Sequence, residues 1–152
     1  MAPESITPLT GSASPRRYFR MTAAAKTCIG VIGTDKEENA AFVALDRHFL
    51  SGGIPVPQVY AVSEDGMTYI QEDLGGEHLF DKYISARAGG EGLAEAEELL
   101  CRTMALLPKI QFEGARNLDF EICHPQKAFT HRSVMFDLNY FKYCFLKATG
   151  LE

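Results

Sequence analysis

The sequence predicts an α+β fold in which a five-stranded antiparallel sheet with one helix precedes a helical region. Three observations lead to this prediction. Short runs of strand composition, separated by turn formers, occupy residues 1 to about 73. One strong helical pattern interrupts them, and from residue 77 to 152 apolar residues recur at helical spacing between polar loops. We therefore divide the chain into a sheet region at 1–73, a linker at 74–76 and a helical region at 77–152.

The strand-like runs form two hairpins with a further strand between them. Small residues and turn formers separate the first two runs, and a Ser-Glu-Asp-Gly turn former separates the last two. The five runs, in chain order, are residues 6–9, 18–22, 27–32, 56–62 and 67–72.

The helix between the third and fourth runs has clear start and stop signals. Thr34 and Glu37 have the spacing of a capping box, and Gly52 and Gly53 are suited to end the helix. Three apolar residues form one stripe along it: Phe42, Leu45 and Phe49.

Three further helices are predicted in the helical region, at residues 79–84, 93–112 and 133–149. Pro108 is expected to bend the second of them or end it early. Phe136 and Tyr140 are predicted to be buried on the apolar face of the third.

Composition excludes several classes of function. The chain has 152 residues, 46% apolar and 23% charged, which is typical of one soluble domain. A net charge of -5, with no basic cluster larger than Arg16-Arg17, argues against a nucleic-acid partner. No apolar run approaches the roughly 20 residues of a membrane span, and the acidic N-terminus does not resemble a signal peptide, so a cytoplasmic location is expected.

Cysteine and histidine spacing gives no sign of a metal site or a disulfide framework. The four cysteines are far apart and form no CxxC pair, and the four histidines are scattered, so no metal site made from protein ligands alone is expected.

Four features in register carry a resemblance to a known family. Residues 9–20 read Leu-Thr-Gly-Ser-Ala-Ser-Pro-Arg-Arg-Tyr-Phe-Arg. Three further features follow in order: an acidic helix start at 35–38, Val56-Pro57 and the run at 71–75. Together they resemble aminoglycoside phosphotransferase-like kinases, with the nearest similarity to the bacterial branch that phosphorylates N-acetylmuramate and N-acetylglucosamine. The resemblance covers residues 5 to about 85 and implies a protein-kinase-like N-terminal lobe that binds ATP.

The small-residue loop is the expected phosphate contact. Backbone N–H groups can approach phosphate oxygens closely at Gly11, Ser12 and Ser14, and the serine hydroxyls add donors. The adjacent cations Arg16 and Arg17 suit a triphosphate. The alternative for this loop is an ordinary hairpin turn.

The chain departs from the family pattern at one position. Kinase-type folds usually carry a lysine in the third strand, paired with a glutamate of the following helix, but here that strand ends without one. We expect Arg16, or else Arg17, to replace the lysine, with Glu38 as partner and Tyr18 over the adenine. The alternative for Glu38 is a solvated first-turn acid favoured by the helix dipole.

The linker is expected to bind adenine. Main-chain groups of Gln71, Glu72, Asp73 and Leu74 are suited to read the base edge, while Leu74 and Ile29 sandwich the ring. The alternative for Leu74 is core packing.

The residues that would perform phosphoryl transfer are not found. In the family, an Asp base, an Asn and a magnesium-binding Asp lie in the helical lobe. The string from His131 to Asn139 resembles the catalytic loop but has Ser133 in place of the Asp, and Asn139 is one position too far on. We therefore expect a fragment, inactive by itself, with no catalytic or metal-binding residue, whose Mg²⁺ ligands lie elsewhere in the whole protein.

The sequence thus predicts the ATP-binding portion of an enzyme that transfers the γ-phosphate of ATP to a hydroxyl of a sugar, amino sugar or aminoglycoside. One alternative is a non-catalytic kinase-like module that binds nucleotide or a partner protein. A small α+β binding protein unrelated to kinases is another. Apolar helix faces left uncovered in the helical region predict self-association.

Overall fold

A computed structural model describes residues 3–10, 14–89 and 92–150. It confirms the mixed α+β class and the five-stranded antiparallel sheet. The strands are β1 Ser5–Leu9, β2 Arg17–Ala23, β3 Lys26–Ile32, β4 Val59–Val62 and β5 Thr68–Glu72. The α-helices are α1 Lys36–Ser51, α2 Leu79–Gly89, α3 Leu93–Pro108, α4 His131–Phe141 and α5 Lys147–Thr149.

The strands lie in the order β1-β2-β3-β5-β4, so β3 is central and β5 is its neighbour. Antiparallel pairing sets Leu9 opposite Tyr18 and Ile29 opposite Gln71. Because side chains alternate between the two faces of a strand, these four residues share one face, here called the inner face. The end of β5 therefore lies beside the middle of β3, and the linker leaves the sheet at this point.

Helix α1 begins one residue later than the capping-box prediction implies. Asp35, not Thr34, is the N-cap, and its carboxylate accepts hydrogen bonds from the N–H groups of Glu37 and Glu38 at 2.8 and 3.1 Å. These bonds hold the pKa of Asp35 below its usual range, the bond from Glu38 contributing most. The helix ends at Gly52, followed by Gly53 in the left-handed region, as the sequence predicts.

Helix α1 covers the inner face of the sheet and forms the core with it. Phe42 stacks on Tyr69 at a centroid distance of 5.1 Å, and Tyr69 and Val31 are almost completely buried. Burial raises the pKa of Tyr69 to about 12. The core of the described chain therefore lies between α1, β3 and β5.

A buried amide joins α1 to the turn between β4 and β5. Asn39 is 1% exposed, and its Nδ2 donates to the carbonyl oxygens of Gly66 and Met67 at 3.0 and 3.1 Å. A Cβ at Gly33 would come within 2.3 Å of that amide, so the position accommodates only glycine unless Asn39 moves. This contact fixes the position of α1 along the sheet.

The helical region follows its predicted pattern with two corrections. Helix α3 ends at Pro108, where an early end is expected, and continues as a π-helical turn at Lys109–Glu113. Helix α4, however, begins at His131, capped by Thr130, and not at Ser133. The predicted burial of Phe136 and Tyr140 is wrong, since they are 69% and 64% exposed. No element among the described residues covers that face of α4. None of the described helices combines the length and apolar character needed to cross a membrane.

The helical region touches the sheet region at both ends of α1. The His48 ring lies 2.8 Å from the Gly114 carbonyl oxygen, through its Nε2 atom. At the other end, the His124 ring lies 3.7 Å from the Asp35 carboxylate and 3.6 Å from that of Glu37.

Candidate functional site

A cleft of about 470 Å³ opens between the inner face of the sheet and the linker. This volume lies within the range of small-molecule pockets, about 300–1,000 Å³. Seven of the predicted site residues line the cleft: Ser14, Tyr18, Ile29, Gln71, Glu72, Asp73 and Leu74. Leu9, Thr10, Arg20, Gly75, Gly76 and His78 complete the lining.

A bidentate ion pair fixes the linker to the sheet. Arg20, in β2, donates from Nε and Nη2 to the two carboxylate oxygens of Asp73 at 2.6 and 2.9 Å. The Asp73 side chain is only 5% exposed, and it also accepts a hydrogen bond from the N–H of Gly75. The Arg20 hydrogen bonds hold the pKa of Asp73 below its usual range and raise that of Arg20. The start of the linker is thereby held in one conformation.

The linker backbone is free to bind a ligand. The main-chain N–H and C=O groups of Asp73 and Leu74 form no main-chain hydrogen bond with another described residue. Gly75 follows at φ +93°, a conformation that glycine adopts readily and that turns the chain away from the sheet. The cleft wall thus carries unpaired donors and acceptors of the kind that read the edge of a planar base.

Apolar side chains form the remaining walls. Ile29 is buried on the floor, whereas Leu74 is 71% exposed at the mouth, so Leu74 does not pack in the core of the described chain. Tyr18 packs against the core cluster of Ile29, Val31 and Tyr69 while lining the same cleft. This arrangement suits a flat ring held between aliphatic side chains.

Arg16, between the cleft residues Ser14 and Tyr18 in the chain, forms an ion pair with Glu38, and neither Arg16 nor Glu38 lines the cleft. Arg16 Nη2 lies 2.9 Å from Glu38 Oε1, and the Arg16 side chain is 11% exposed. Its guanidinium also lies over the Phe42 ring, 5.4 Å from the centroid. Arg16 Nε is buried and has no hydrogen-bond partner among the described residues. The predicted pairing is therefore present, and one donor of this arginine is left unused.

The other residues predicted to contact phosphate do not share the position of Arg16. Ser14 Oγ accepts a hydrogen bond from the Arg16 N–H at 3.3 Å, which fixes the end of the loop. Arg17 is exposed and lies 6.0 Å from the Phe19 ring. Phe19 lines a depression on the opposite, outer face of the sheet, so the structure does not bring Arg17 to the cleft. Gly11 and Ser12 lie outside the described residues.

The Arg20–Asp73 pair was not found from the sequence. Strand periodicity places Arg20 on the same face as Arg16 and Tyr18, but its partner lies 53 residues away in sequence. No local pattern indicates a contact across that separation. Only the pairing of β2, β3 and β5 brings the two side chains together.

The string from His131 to Asn139 lies entirely in helix α4 and not in an irregular loop. Ser133 forms a capping box with Thr130, so its hydroxyl is engaged at the helix start. Asp137 lines a separate depression of about 510 Å³ that shares no lining residue with the cleft. Among the described residues, no group of three or more His, Cys, Asp or Glu side chains is arranged to hold a metal ion.

Comparison of the chain with models of known protein families gives no match. Comparison with curated proteins gives none either. The family resemblance therefore remains a prediction, and the functional argument depends on the geometry of the cleft.

Proposed function

We propose that the cleft binds ATP and that the chain forms the nucleotide-binding portion of a small-molecule phosphotransferase with a protein-kinase-like fold. The observation that carries the proposal is the 2.9 Å Arg16–Glu38 ion pair, in which Arg16 lies two residues along the chain from Ser14 and Tyr18 of the cleft. The cation comes from the residue before β2 and the carboxylate from α1. Kinase-type folds take the same two groups from the third strand and the following helix. A helix between β3 and β4 on an antiparallel sheet also supports this fold.

The adenine end of the site would lie against the linker. The unpaired main-chain groups of Asp73 and Leu74 supply both a donor and an acceptor for the base edge. Ile29 on the floor and Leu74 at the mouth both line the cleft, where they would contact the two faces of the ring. Because Arg20 and Asp73 already hold the linker, little ordering would accompany binding.

The phosphate end would lie toward Ser14 and Arg16. Arg16 Nε is buried without a hydrogen-bond partner among the described residues, and a buried donor without a partner is unfavourable. A phosphate oxygen would remove that penalty and form a charge-assisted hydrogen bond. Glu38 would keep the guanidinium oriented while the anion binds.

In the whole protein, the proposed reaction is transfer of the γ-phosphate to a hydroxyl of a sugar, amino sugar or aminoglycoside. Magnesium would neutralise charge on the phosphates when bound. The described residues bind and orient the nucleotide, and we assign none of them to proton transfer or to metal binding.

Titration with ATP and magnesium tests the proposal. Amide chemical shifts of the 152-residue chain should change at Tyr18, Ile29 and the linker residues from Gln71 to Leu74. Arg16→Ala should weaken binding by about 1–3 kcal/mol, the contribution of a lost hydrogen bond to a charged group.

Arg17→Ala is the matched control, because it removes the same charge from the outer face and should leave binding unchanged. Absence of any response at millimolar nucleotide would contradict the proposal. Equal weakening by both arginine variants would show a general charge effect and not a contact made by Arg16.

A non-catalytic module that binds a partner protein is a second candidate, favoured by the exposed apolar surface of the helical region. Among the described residues after position 76, seventeen large apolar side chains are exposed. Light scattering across a concentration series would detect the self-association that such a surface predicts. A monomer at all concentrations would count against it.

A further inference from the structure

Gln71 is a polar residue that lines the cleft and has a buried side-chain oxygen. It lies on β5 next to the linker, paired across the sheet with Ile29 on one side and Val59 on the other. Its side-chain Oε1 is buried and has no hydrogen-bond partner among the described residues. Four buried side-chain atoms of the described chain lack a partner, and Gln71 is the only one of these residues that lines the cleft.

The neighbours of Gln71 do not satisfy its amide. Ile29 and Val59 are apolar, and both pack in or against the core cluster. Arg20 is the one arginine or lysine among the described residues that line the cleft, and its Nε and Nη2 already donate to Asp73. A buried amide oxygen without a donor destabilises a protein, whereas an apolar side chain of the same size would not. This position therefore carries a polar group without a partner next to the cleft. A ligand would satisfy it once the broad terminal torsion of glutamine turns the amide toward the cleft.

We propose that the Gln71 side-chain amide reads the purine edge that carries the 6-amino group and N7, and so selects adenine. The inference rests on the proposed function, since it requires a nucleotide in the cleft. Oε1 would accept a hydrogen bond from the 6-amino group while Nε2 donates to N7. Glutamine and asparagine form the same pair of hydrogen bonds with adenine in the major groove of DNA.

The same amide disfavours the binding of purines that carry a carbonyl oxygen at position 6. Hypoxanthine and guanine present two acceptors on this edge, O6 and N7. The terminal torsion of glutamine is broad, so the amide can turn over. In either orientation, however, Oε1 faces one of the two acceptors. Neither orientation satisfies both positions, and the site disfavours these bases.

Nucleotide analogues test the proposal on the unmodified 152-residue chain. ATP should bind more tightly than ITP by roughly 5- to 150-fold, the range for a bidentate amide–base contact. The decisive ligand is 7-deaza-ATP, which lacks only the N7 acceptor and should bind roughly 2- to 12-fold more weakly than ATP. The linker backbone contributes to adenine selection at the 6-amino group, but it does not account for a dependence on N7.

The Gln71→Met variant keeps the side-chain length and removes the amide. Its ATP and 7-deaza-ATP affinities should become equal, and its ATP preference over ITP should fall. The free variant should melt at the same or a higher temperature, because a buried oxygen without a partner is removed. Arg16→Ala is the matched comparison, since it should weaken all three nucleotides alike and leave their ratios unchanged.

Two results would overturn the inference without affecting the proposed function. One is equal binding of ATP and 7-deaza-ATP by the unmodified chain. The other is a ratio between these two nucleotides that Gln71→Met does not change. Failure of every nucleotide to bind would overturn the proposed function as well.

Discussion

The sheet region, counted here together with the linker, buries its apolar residues to a very different extent from the helical region that follows. Six of the eight buried apolar residues of the described chain lie in the sheet region: Ile29, Val31, Ala41, Val43, Ile54 and Tyr69. Only two alanines, Ala86 and Ala96, are buried in the helical region. Of the large exposed apolar side chains among the described residues, five lie in the sheet region and seventeen in the helical region.

The two regions differ in how their helices are stabilised, by local interactions or by tertiary packing. Helix α4 has a capping box at its start, which is a local interaction, and its Phe136 side chain is exposed. Helix α1 has comparable local signals, but it also packs Phe42 on Tyr69 and inserts Asn39 beneath a turn. Because most helical stability in proteins comes from packing, α1 should be far more stable than α4.

The largest expected effect comes from removing the central aromatic of the sheet region. Tyr69→Ala should lower the free energy of unfolding by about 3–5 kcal/mol, the usual range for a buried aromatic. Phe136→Ala, at a position that is 69% exposed, should change it by less than about 0.5 kcal/mol. Urea unfolding followed by circular dichroism measures both. Equal losses would mean that α4 is buried in solution and that the comparison is wrong.

An intermediate effect is expected at the amide that fixes α1. Asn39→Ala removes two hydrogen bonds and leaves the carbonyl oxygens of Gly66 and Met67 without this donor, so a loss of about 1–3 kcal/mol is expected. Asn139→Ala, on an exposed position of α4, is the matched control and should not destabilise the protein. If Asn39→Ala is neutral in thermal unfolding, α1 does not depend on this contact.

The smallest of the three effects is expected at Asp73 and depends on pH. Its pKa is lower in the folded chain than in the unfolded one, so the stability it contributes is complete above the unfolded value of about 3.9. That contribution is lost as the pH falls through the folded-state pKa. Asp73→Asn should therefore destabilise the protein by about 1 kcal/mol at pH 7, and the difference should shrink below about pH 4.

Denaturant midpoints measured from pH 7 to pH 2 would show this trend. Asp137→Asn, at an exposed position of α4 without an ion pair among the described residues, is the control. A difference between Asp73→Asn and the unmodified chain that stays constant down to pH 2 would show that Arg20 does not stabilise the charged form.

The five strands, α1 and the position of the linker could be predicted because their signals are local. Alternation of apolar residues, turn formers and helix-ending glycines depends on neighbours only a few positions apart. The Arg16–Glu38 pair could also be proposed, because strand and helix periodicity fixed the face of each residue and the family resemblance suggested the pairing. The N-cap was predicted one residue early, since Thr34 and Asp35 are both suitable caps and only the backbone conformation selects Asp35.

The sequence by itself determined which segments are strands, which are helices and which face of each is apolar. The tertiary structure decided which of those faces are covered: the α1 face that carries Phe42 packs on β3 and β5, whereas Phe136 and Tyr140 on α4 remain exposed. It also decided the partners of the cleft residues, pairing Arg20 with Asp73 and leaving Gln71 Oε1 unpaired. The physical reason is that periodicity is set by local geometry, whereas burial and long-range pairing depend on which elements the chain brings together.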